Sequence, residues 1–468
     1  MRRDNRGTMS TLSTGLQHEL AGLLGDGWLT DPSERLAYAY DNSRRQALPD
    51  AVALPTSREQ VLALVRACRA HRVPVVARGR GTNTTGASVP VAGGVVVSFE
   101  RMDRILDIRP GDRCAVVEPG VLNGDLQAAL QPHGLFWPPD PTSAAFSTIG
   151  GNLACNAGGP RAVKYGASRD NVLALTAVTG AGELITCGTA TTKGATGYDL
   201  HRLIVGSEGT LALIVEASLR LTPAPAARRA LRAIYRDVAS AAQAVARLMA
   251  QPVTPSMLEF MDAAAVRLAR DVGGADLPGN AGALLMIEVD GDDETLPHAI
   301  EALMRTAEGE GLVALDDAAD DAARDKLWAA RKMLSPALRT LAPGKINEDV
   351  VVPVSRIPAL IDGVQALAKE FALPIVCFGH AGNGNLHVNL LYDPADASQA
   401  ERAHAALARV FALTLSLGGT LSGEHGIGLA KRDFMPQALT PPTLALMRQL
   451  KSVFDPDGIL NPGKLLPP

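Results

Sequence analysis

A glycine-rich segment directly behind a short apolar run limits the possible folds more than any other feature of this sequence. The apolar run at residues 73–77 is typical of a buried strand, and Arg78-Gly-Arg-Gly-Thr-Asn-Thr-Thr-Gly86 follows it at once. Glycines in such a turn allow backbone N–H groups to approach a phosphate closely. Thr84 stands where the G-x-G-x-x-G pattern requires its third glycine, and the Gly-Lys pair of ATP-binding loops is missing from the segment. The segment therefore indicates either a pyrophosphate site of another kind or a plain glycine turn.

Two further glycine-rich segments favour a ligand site over plain turns. Ser147-Thr-Ile-Gly-Gly-Asn-Leu-Ala-Cys-Asn-Ala-Gly-Gly159 combines glycines with polar side chains, and Pro138-Pro-Asp-Pro-Thr-Ser143 lies just upstream. Gly206-Ser-Glu-Gly-Thr210 precedes a predicted strand at residues 211–221. Ordering this much flexible backbone costs conformational entropy, which a ligand packed against it would offset.

Composition indicates an ordinary globular protein of two or three domains. The 468 residues have a formal net charge of −4, and because basic residues are spread along the chain we expect no nucleic-acid partner. No apolar stretch approaches the roughly 20 residues of a transmembrane helix. The 5 cysteines form no C-x-x-C pair, so neither an iron–sulfur cluster nor a disulfide framework is expected. We expect a cytoplasmic protein, with peripheral attachment to a membrane as the alternative.

The second half of the chain contains a histidine segment, Phe378-Gly-His-Ala-Gly-Asn-Gly-Asn-Leu-His-Val-Asn-Leu390. The segment from Leu386 alternates as a strand does. Leu386, Val388 and Leu390 lie on one face, and His387 and Asn389 lie on the other. Gly382-Asn-Gly384 is a turn signal, so the chain folds back and brings His380 beside His387. Two imidazoles that meet across a turn suit a zinc-like ion.

A later glycine-flanked segment, Ser422-Gly-Glu-His-Gly-Ile-Gly428, adds a carboxylate and an imidazole at Glu424 and His425. The two segments together favour a functional site. The alternative is that His380 and His387 are hydrogen-bonded core residues and that Glu424 is solvated.

The order of these motifs resembles a known flavoprotein group. Pro55-Thr-Ser57, Arg78-Gly-Arg-Gly-Thr-Asn83, Gly150-Gly-Asn152, Asn156-Ala-Gly-Gly159 and Gly206-Ser-Glu-Gly-Thr210 are similar to motifs in the FAD domain of the vanillyl-alcohol oxidase/p-cresol methylhydroxylase superfamily. The resemblance covers nearly the whole chain. It implies an α+β protein, with an N-terminal two-lobed FAD-binding domain and a C-terminal α+β substrate domain, or cap, built on an antiparallel sheet.

The resemblance also implies a domain division and a cofactor site. We expect an N-terminal tail and helix at residues 1–48, the FAD-binding domain at 49–224, the substrate domain at 225–415 and a C-terminal segment at 416–468 that returns to the FAD domain. The Pro- and Ala-rich residues 223–229 mark the main boundary. The predicted FAD-binding residues are Arg78, Gly79, Arg80, Gly81, Thr82, Asn83, Gly86, Pro141, Thr142, Ser143, Thr148, Gly150, Gly151, Asn152, Asn156, Gly158, Gly159, Glu208, Gly209, Ile214 and Asn461.

Some members of this superfamily attach the flavin covalently through a His or a Cys. The 78–86 loop contains neither residue, so we expect non-covalent FAD. Cys155 is the exception to consider, and its other interpretation is a small buried core thiol.

The C-terminal half resembles the branch that contains D-lactate, glycolate and D-2-hydroxyglutarate dehydrogenases, through its H-x6-H-x-N pattern and its Glu-His pair. By position, the resemblance implies that a divalent metal, for which we expect zinc, is bound by His380, His387 and Glu424. It implies that His425 is the catalytic base and that Asn389 neighbours the substrate. Arg331, in the segment Trp328-Ala-Ala-Arg-Lys332, would bind the substrate carboxylate, since its planar guanidinium matches that group.

One departure from the branch bears on the substrate. In members of this branch whose substrates carry a second carboxylate, a Lys stands two residues before the Asp of an Asp-x-x-x-Pro strand. Here that strand is Asp349-Val-Val-Val-Pro353, and the matching position is Asn347, with Lys345 two residues earlier. Lys345 either reaches the substrate or is a solvated loop lysine. The departure favours lactate-like acids over 2-hydroxyglutarate.

The sequence therefore predicts an FAD-dependent dehydrogenase that oxidises a small D-2-hydroxy acid, D-lactate-like, to the 2-oxo acid. Metal-assisted activation of the hydroxyl, proton removal by His425 and hydride transfer to flavin N5 are the expected steps. The expected electron acceptor is external: a quinone, a cytochrome or an electron-transfer flavoprotein. A homodimer is the assembly considered. The alternatives are a D-2-hydroxyglutarate dehydrogenase, the FAD subunit of a multi-subunit glycolate oxidase, an oxidase that uses oxygen, and a non-redox nucleotide-binding module.

Overall fold

Three larger sheets follow one another along the chain with helices packed beside them, and β7 pairs with β11 in a separate two-stranded sheet. The structure, a computed structural model, describes residues 12–318 and 320–468, so the part of the predicted tail at residues 1–11 lies outside the described residues. The strands of the first half are β1 (Trp28–Leu29), β2 (Ala51–Ala53), β3 (Val75–Arg78), β4 (Val95–Ser98), β5 (Ile105–Arg109), β6 (Cys114–Val117), β7 (Leu135–Phe136), β8 (Val172–Thr179), β9 (Leu184–Gly188), β10 (Ala212–Arg220) and β11 (Thr222–Pro223). Those of the second half are β12 (Ala227–Tyr235), β13 (Met257–Met261), β14 (Ala283–Gly291), β15 (Leu312–Ala318), β16 (Gly344–Val351), β17 (Ile375–His380) and β18 (Asn385–Tyr392).

The α-helices range from single turns to a helix of five turns. They are α1 (Thr14–Leu24), α2 (Pro32–Arg35), α3 (Arg58–Ala70), α4 (Asn123–Leu130), α5 (Ile149–Cys155), α6 (Ala162–Tyr165), α7 (Leu200–Ile204), α8 (Val238–Ala250), α9 (Ala263–Asp271), α10 (Leu296–Ala307), α11 (Asp321–Ala337), α12 (Ile357–Glu370), α13 (Ala397–Ser416), α14 (Met435–Ala438) and α15 (Pro441–Phe454). Within the described residues, no helix combines the length and the apolar character needed to cross a membrane.

The first two sheets place the glycine-rich loops. The first has the order β1-β2-β4-β3, with β2 and β3 parallel to β4, and the second has the antiparallel order β5-β6-β10-β8-β9. Helix α3 connects β2 to β3 and begins at the predicted cap, where Ser57 Oγ accepts from Gln60 N at 3.3 Å. Its apolar face is buried against the sheet, as the helical spacing of those residues predicts. The 78–86 loop therefore leaves the carboxyl end of β3, where phosphate-binding loops occur.

The third sheet places the histidine segment. It is antiparallel, with the order β15-β12-β14-β13-β17-β18-β16. The predicted turn joins β17 to β18, and Leu386, Val388 and Leu390 are buried in a core formed with the helices of this half. His387 lies on the opposite face of β18, as the alternation predicts.

These features confirm the expected α+β class and the antiparallel sheet of the C-terminal half. The four residue ranges given above for the domain division stay predictions.

Candidate active site

A cavity of about 950 Å³ lies between the glycine-rich loops and the face of the third sheet that carries the histidines. Residues of the 78–84, 140–144 and 148–157 segments line one part of it. The side chains of His380, His387, Glu424, His425 and Arg331 line another part. The two groups therefore border a single space, although 174 positions separate residue 157 of the first group from Arg331 of the second.

The glycines of the loops are required by close backbone packing around this cavity. A Cβ atom on Gly79 would lie 2.4 Å from Thr148 Oγ1, and one on Gly150 would lie 2.5 Å from Pro119 Cβ. Gly81 has a φ of +67°, a left-handed conformation that side chains with a Cβ disfavour. The glycines therefore allow the loops to pack tightly against neighbouring segments at the edge of the cavity.

The cavity suits a polar nucleotide such as FAD. Thr84 Oγ1, Asn152 Nδ2 and Ser207 Oγ are buried on its wall and have no hydrogen-bond partner among the described residues. Buried polar atoms without partners are costly, so they indicate a ligand that completes them. Phosphate, ribose and ring carbonyl groups offer the missing donors and acceptors, and the residues present therefore fit this cofactor.

His380, His387 and Glu424 bring three ligand atoms together. Nε2 of His380 lies 3.3 Å from Glu424 Oε1 and 3.5 Å from Nε2 of His387, and the latter atom lies 3.6 Å from the same carboxylate oxygen. Ligand atoms around a tetrahedral zinc ion with bonds of about 2.0–2.1 Å are roughly 3.3 Å apart. Two imidazole nitrogens and one carboxylate oxygen at these spacings fit a zinc-like ion and leave a position open for a further ligand.

A buried carboxylate from the neighbouring strand orients the first of these ligands. Glu259, on β13, is fully buried and engages Nδ1 of His380 through Oε1. A carboxylate behind a metal-binding histidine fixes the ring so that the other nitrogen faces the ion.

The charges around the three ligand atoms favour a cation. Burial raises the pKa of Glu259, but the positive charges of His380 and Arg331 outweigh it and lower that pKa to about 2. Burial lowers the pKa of His380, whereas the carboxylates of Glu259 and Glu424 raise it to about 10. Burial and the charges of His380 and His425 lower the pKa of His387 to about 3. The site thus contains two ionised carboxylates, a protonated His380 and a neutral His387, so a divalent ion that binds there would displace the proton from His380.

Arg331 enters the cavity from α11 and is fixed by two contacts. Its Nε and Nη2 each lie 2.8 Å from Glu259 Oε2, and its guanidinium lies 4.7 Å from the ring centre of Phe378. Neither contact uses Nη1. Because the carboxylate and the ring together set the plane of the guanidinium, Arg331 presents an ordered cation to the cavity.

His425 lies at the same wall and is oriented by a second buried carboxylate. Its Nδ1 is 3.4 Å from Asp349 Oδ1, and its ring stacks on His387 with centroids 5.3 Å apart. Asp349, on β16, is fully buried and pairs with Lys431, which is also fully buried. Burial raises the pKa of Asp349, but His425 and Lys431 together hold it well below its usual range. A carboxylate beside Nδ1 favours the proton there and leaves the lone pair on Nε2.

Most of the predicted site residues lie around the cavity, although some do not reach its wall. Of the residues predicted to bind FAD, those outside the described lining are Gly86, Asn156, Gly158, Gly159 and Asn461. Lys345 and Asn389 do not line it either. Lys345 Nζ instead donates to Ser335 Oγ at 2.9 Å, and Asn389 Nδ2 donates to Val376 O at 3.1 Å. The roles given to all of these residues stay predictions.

Sequence reasoning did not identify Glu259 or Asp349 as site residues. A signal for Glu259 exists, because it interrupts the apolar run Met257-Leu-Glu-Phe-Met261, and a charge inside a buried strand needs a partner. Asp349 gives a weaker signal, since it follows Glu348 at the start of an apolar strand.

The sequence matches two protein families in consecutive parts of the chain. Residues 49–188 match the family described as FAD binding domain, and residues 224–465 match the family described as FAD linked oxidases, C-terminal domain.

Relatives of known name are similar over almost the whole chain. Glycolate oxidase subunit GlcD of Bacillus subtilis is 39% identical over 432 residues, which are 92% of this chain and 92% of that protein. D-lactate dehydrogenase of Anaerostipes hadrus is 35% identical over 428 residues, or 90% of each. Among solved structures, p-cresol methylhydroxylase with substrate bound has a TM-score of 0.81 at 17% identity, and the match covers 97% of this chain and 98% of that one. At this low identity, the match to p-cresol methylhydroxylase shows a shared fold.

Proposed function

The chain belongs to the FAD-linked oxidase family, and from that premise we propose that it is a dehydrogenase of D-2-hydroxy acids with D-lactate or a close analogue as its substrate. The observation that carries the proposal is the convergence of an ordered arginine, a histidine paired with a carboxylate, and a three-residue metal-type cluster on the FAD-type cavity. Each of these three features matches one need of the reaction: substrate binding, proton removal and activation of the hydroxyl.

The two bound groups would contribute chemistry that side chains lack. FAD supplies an acceptor for the hydride that leaves C2 of the substrate. A divalent ion, zinc in our proposal, supplies a positive charge that lowers the pKa of the 2-hydroxyl. The glycine-rich loops would hold the first, and His380, His387 and Glu424 would hold the second.

Arg331 would bind the substrate carboxylate. It lines the cavity, its side chain is mostly buried, and Glu259 and Phe378 fix its orientation. Arginine offers paired N–H groups in a plane, so it sets both the position and the rotation of a carboxylate. A substrate fixed at this end directs its C2 atom in a defined direction, which is the alignment that transfer of a hydride requires.

His425 would remove the hydroxyl proton. The charge of Asp349 favours the proton at Nδ1, so Nε2 is available to accept the one from the substrate. The imidazolium that forms is then stabilised by the same carboxylate at 3.4 Å. The backbone N–H of His425 also donates to Asp349, at 2.9 Å, so the residue is fixed at two points.

One residue of the cavity wall supports a substrate with one carboxylate. Asn347, an uncharged residue that lines the cavity, stands where the resemblance implies a lysine in relatives that select a second carboxylate. Glycolate is a second candidate, because the relative of highest identity given above bears the name glycolate oxidase subunit. The external electron acceptor and the homodimer stay predictions.

Reduction of the flavin by substrate without air tests this proposal directly, because it needs no knowledge of the electron acceptor. The purified protein should lose its visible flavin absorbance on addition of D-lactate and not of L-lactate. Glycolate and D-2-hydroxyglutarate serve as comparison substrates. Faster bleaching by glycolate would move the assignment to that acid, and an unchanged spectrum with every 2-hydroxy acid would refute the proposal.

A further inference from the structure

The loop at residues 422–428, which carries Glu424 and His425, is bound to the third sheet by Asp349. Oδ2 of that carboxylate accepts hydrogen bonds from the backbone N–H groups of Gly423 at 2.8 Å, Glu424 at 2.6 Å and His425 at 2.9 Å. These bonds fix the first half of the loop to β16.

The second half of the same loop is bound by a carboxylate from the N-terminal half of the chain. Glu208 accepts from Ile427 N at 2.6 Å through Oε1 and from Gly428 N at 2.8 Å through Oε2. Glu208 is buried and lies just before β10, the central strand of the second sheet. The loop therefore lies between two carboxylates, one from each half of the molecule.

The local backbone is arranged for this contact. Glu208 has a φ of +55°, a left-handed conformation that is unfavourable for a residue with a Cβ. Its own N–H donates to Ala154 O at 2.8 Å, which connects it to the end of α5. On the loop side, Gly426 has a φ of +85°, and a Cβ there would lie 2.5 Å from Glu208 Oε1. The close approach thus depends on both residues.

The neighbouring cofactor-type loop adds contacts to the same segment. Asn83 Nδ2 donates to the carbonyl oxygen of His425 at 3.1 Å, and Thr85 O accepts from Leu429 N at 2.8 Å. Among these three residues of the N-terminal half that contact the loop, Glu208 is the one with a charged side chain. Hydrogen bonds to a charged group are stronger than those between neutral groups.

We propose that Glu208 is a positioning residue, which fixes the 422–428 loop to the N-terminal half so that Glu424 and His425 face the cavity in a defined place. The inference rests on the proposed function for the roles of those two residues. It gives Glu208, for which the resemblance implies a role in FAD binding, a role through the backbone of the loop and not through contact with the cofactor or the reacting atoms.

Three forms of the full-length, FAD-loaded protein test this proposal: wild type, Glu208→Gln and the control Glu183→Gln. Glu183 is an exposed carboxylate between β8 and β9, so its loss should change nothing. In Glu208→Gln, amide hydrogen exchange at Ile427 and Gly428 should accelerate roughly 10- to 100-fold, because these two N–H groups lose their charged acceptor. The FAD content should equal that of the wild type.

Steady-state kinetics separate positioning from a general loss of structure. With D-lactate, kcat of Glu208→Gln should fall about 10- to 100-fold because the base is misplaced, while KM stays within about twofold because Arg331 is not moved. In a His425→Gln background, Glu208→Gln should lower kcat by a smaller factor than it does in the wild type, because one of the two side chains that it positions is already missing. Should Glu208→Gln fail to fold, Glu208→Asp keeps the charge, shortens its reach and should change exchange and kcat in the same directions.

Four outcomes would overturn the proposal. The first is unchanged exchange at Ile427 and Gly428, and the second is faster exchange with an unchanged kcat. The third is losses of kcat that multiply fully in the double variant. The fourth is loss of FAD without a change in exchange, which would make Glu208 a cofactor contact. A wild-type protein that oxidises no 2-hydroxy acid would refute the proposed function, and the exchange comparison would then decide alone whether Glu208 fixes the loop.

Discussion

Arg331 donates a hydrogen bond of 2.8 Å from Nε to Oε2 of Glu259. The other oxygen of the same carboxylate engages Nδ1 of His380. One fully buried group therefore orients two residues for which different roles are proposed, the substrate-binding arginine and the first metal ligand. A change at Glu259 should be detected in both metal binding and substrate binding.

Glu259→Gln tests this double role while preserving the shape of the side chain. We expect the affinity for zinc to fall roughly 10- to 100-fold, because the orienting charge behind His380 is removed. We also expect KM for D-lactate to rise, because Arg331 loses the acceptor that fixes its plane. Zinc titration of EDTA-treated protein and steady-state kinetics measure the two effects. Glu301→Gln, an exposed carboxylate on α10, is the control. Normal zinc affinity together with normal KM would contradict the shared orientation.

Removal of the metal should abolish turnover and leave the flavin in place. Dialysis against EDTA is expected to lower kcat at least about 100-fold, since the hydroxyl then keeps its ordinary high pKa, and added zinc should restore it. His380→Ala should show the same loss without recovery. His404→Ala, at an exposed position on α13, is the matched control. Full activity after chelation, or in His380→Ala, would show that the histidines are structural.

Local patterns of apolar and polar residues were sufficient to predict many of the helices and strands. The helical spacing after Ser57, the apolar run before Arg78 and the alternation from Leu386 each correspond to an element of the structure. These signals succeed because each depends on neighbouring residues and on one buried face. The strand β16 runs from Gly344 to Val351, so it begins five residues before Asp349, where the sequence pattern starts. Within its first half, Asn347 lines the cavity, and the polar residues Lys345, Asn347 and Glu348 leave no apolar pattern to mark the strand.

Contacts between segments that are far apart in the chain could not be predicted from the sequence. Glu259 and His380 are 121 positions apart, and Glu208 and Gly428 are 220 positions apart. No period or spacing encodes such a pair, because it depends on which strands become neighbours in the sheet. His380 and His387 were predicted as a pair since a short turn joins them, whereas the carboxylates that orient the site come from other strands.

Arg331→Lys should weaken substrate binding more than chemistry. A lysine keeps the positive charge but loses the planar pair of donors, so we expect KM for D-lactate to rise roughly 10- to 100-fold, with kcat changed by less than about threefold. Initial rates over a wide substrate range measure this. Arg305→Lys, on the exposed side of α10, is the control and should behave as the wild type. An unchanged KM would show that another group binds the substrate carboxylate.

Asn347→Lys should shift the preference towards dicarboxylates. Asn347 lines the cavity, so an ammonium group there would attract a second carboxylate. We expect the ratio of kcat/KM for D-2-hydroxyglutarate over D-lactate to rise about tenfold or more. Lys345→Ala is the comparison, because Lys345 bonds Ser335 and does not line the cavity. If Lys345→Ala lowers the rate with D-2-hydroxyglutarate specifically, then Lys345 is the residue that reaches the substrate.

The flavin should leave the protein when the fold is disrupted. Cys155 lines the cavity, and burial raises the pKa of its thiol to about 12, so the nucleophilic thiolate is disfavoured there. Its Sγ also lies 3.4 Å from Asn83 Nδ2. Precipitation of the holoprotein with acid should therefore release all of the flavin into the supernatant, as measured by its absorbance. Cys155→Ala should bind and release flavin as the wild type does, with Cys187→Ala, another buried thiol, as its control. Colour that remains in the wild-type pellet and disappears in that of Cys155→Ala would instead identify a covalent bond to this residue.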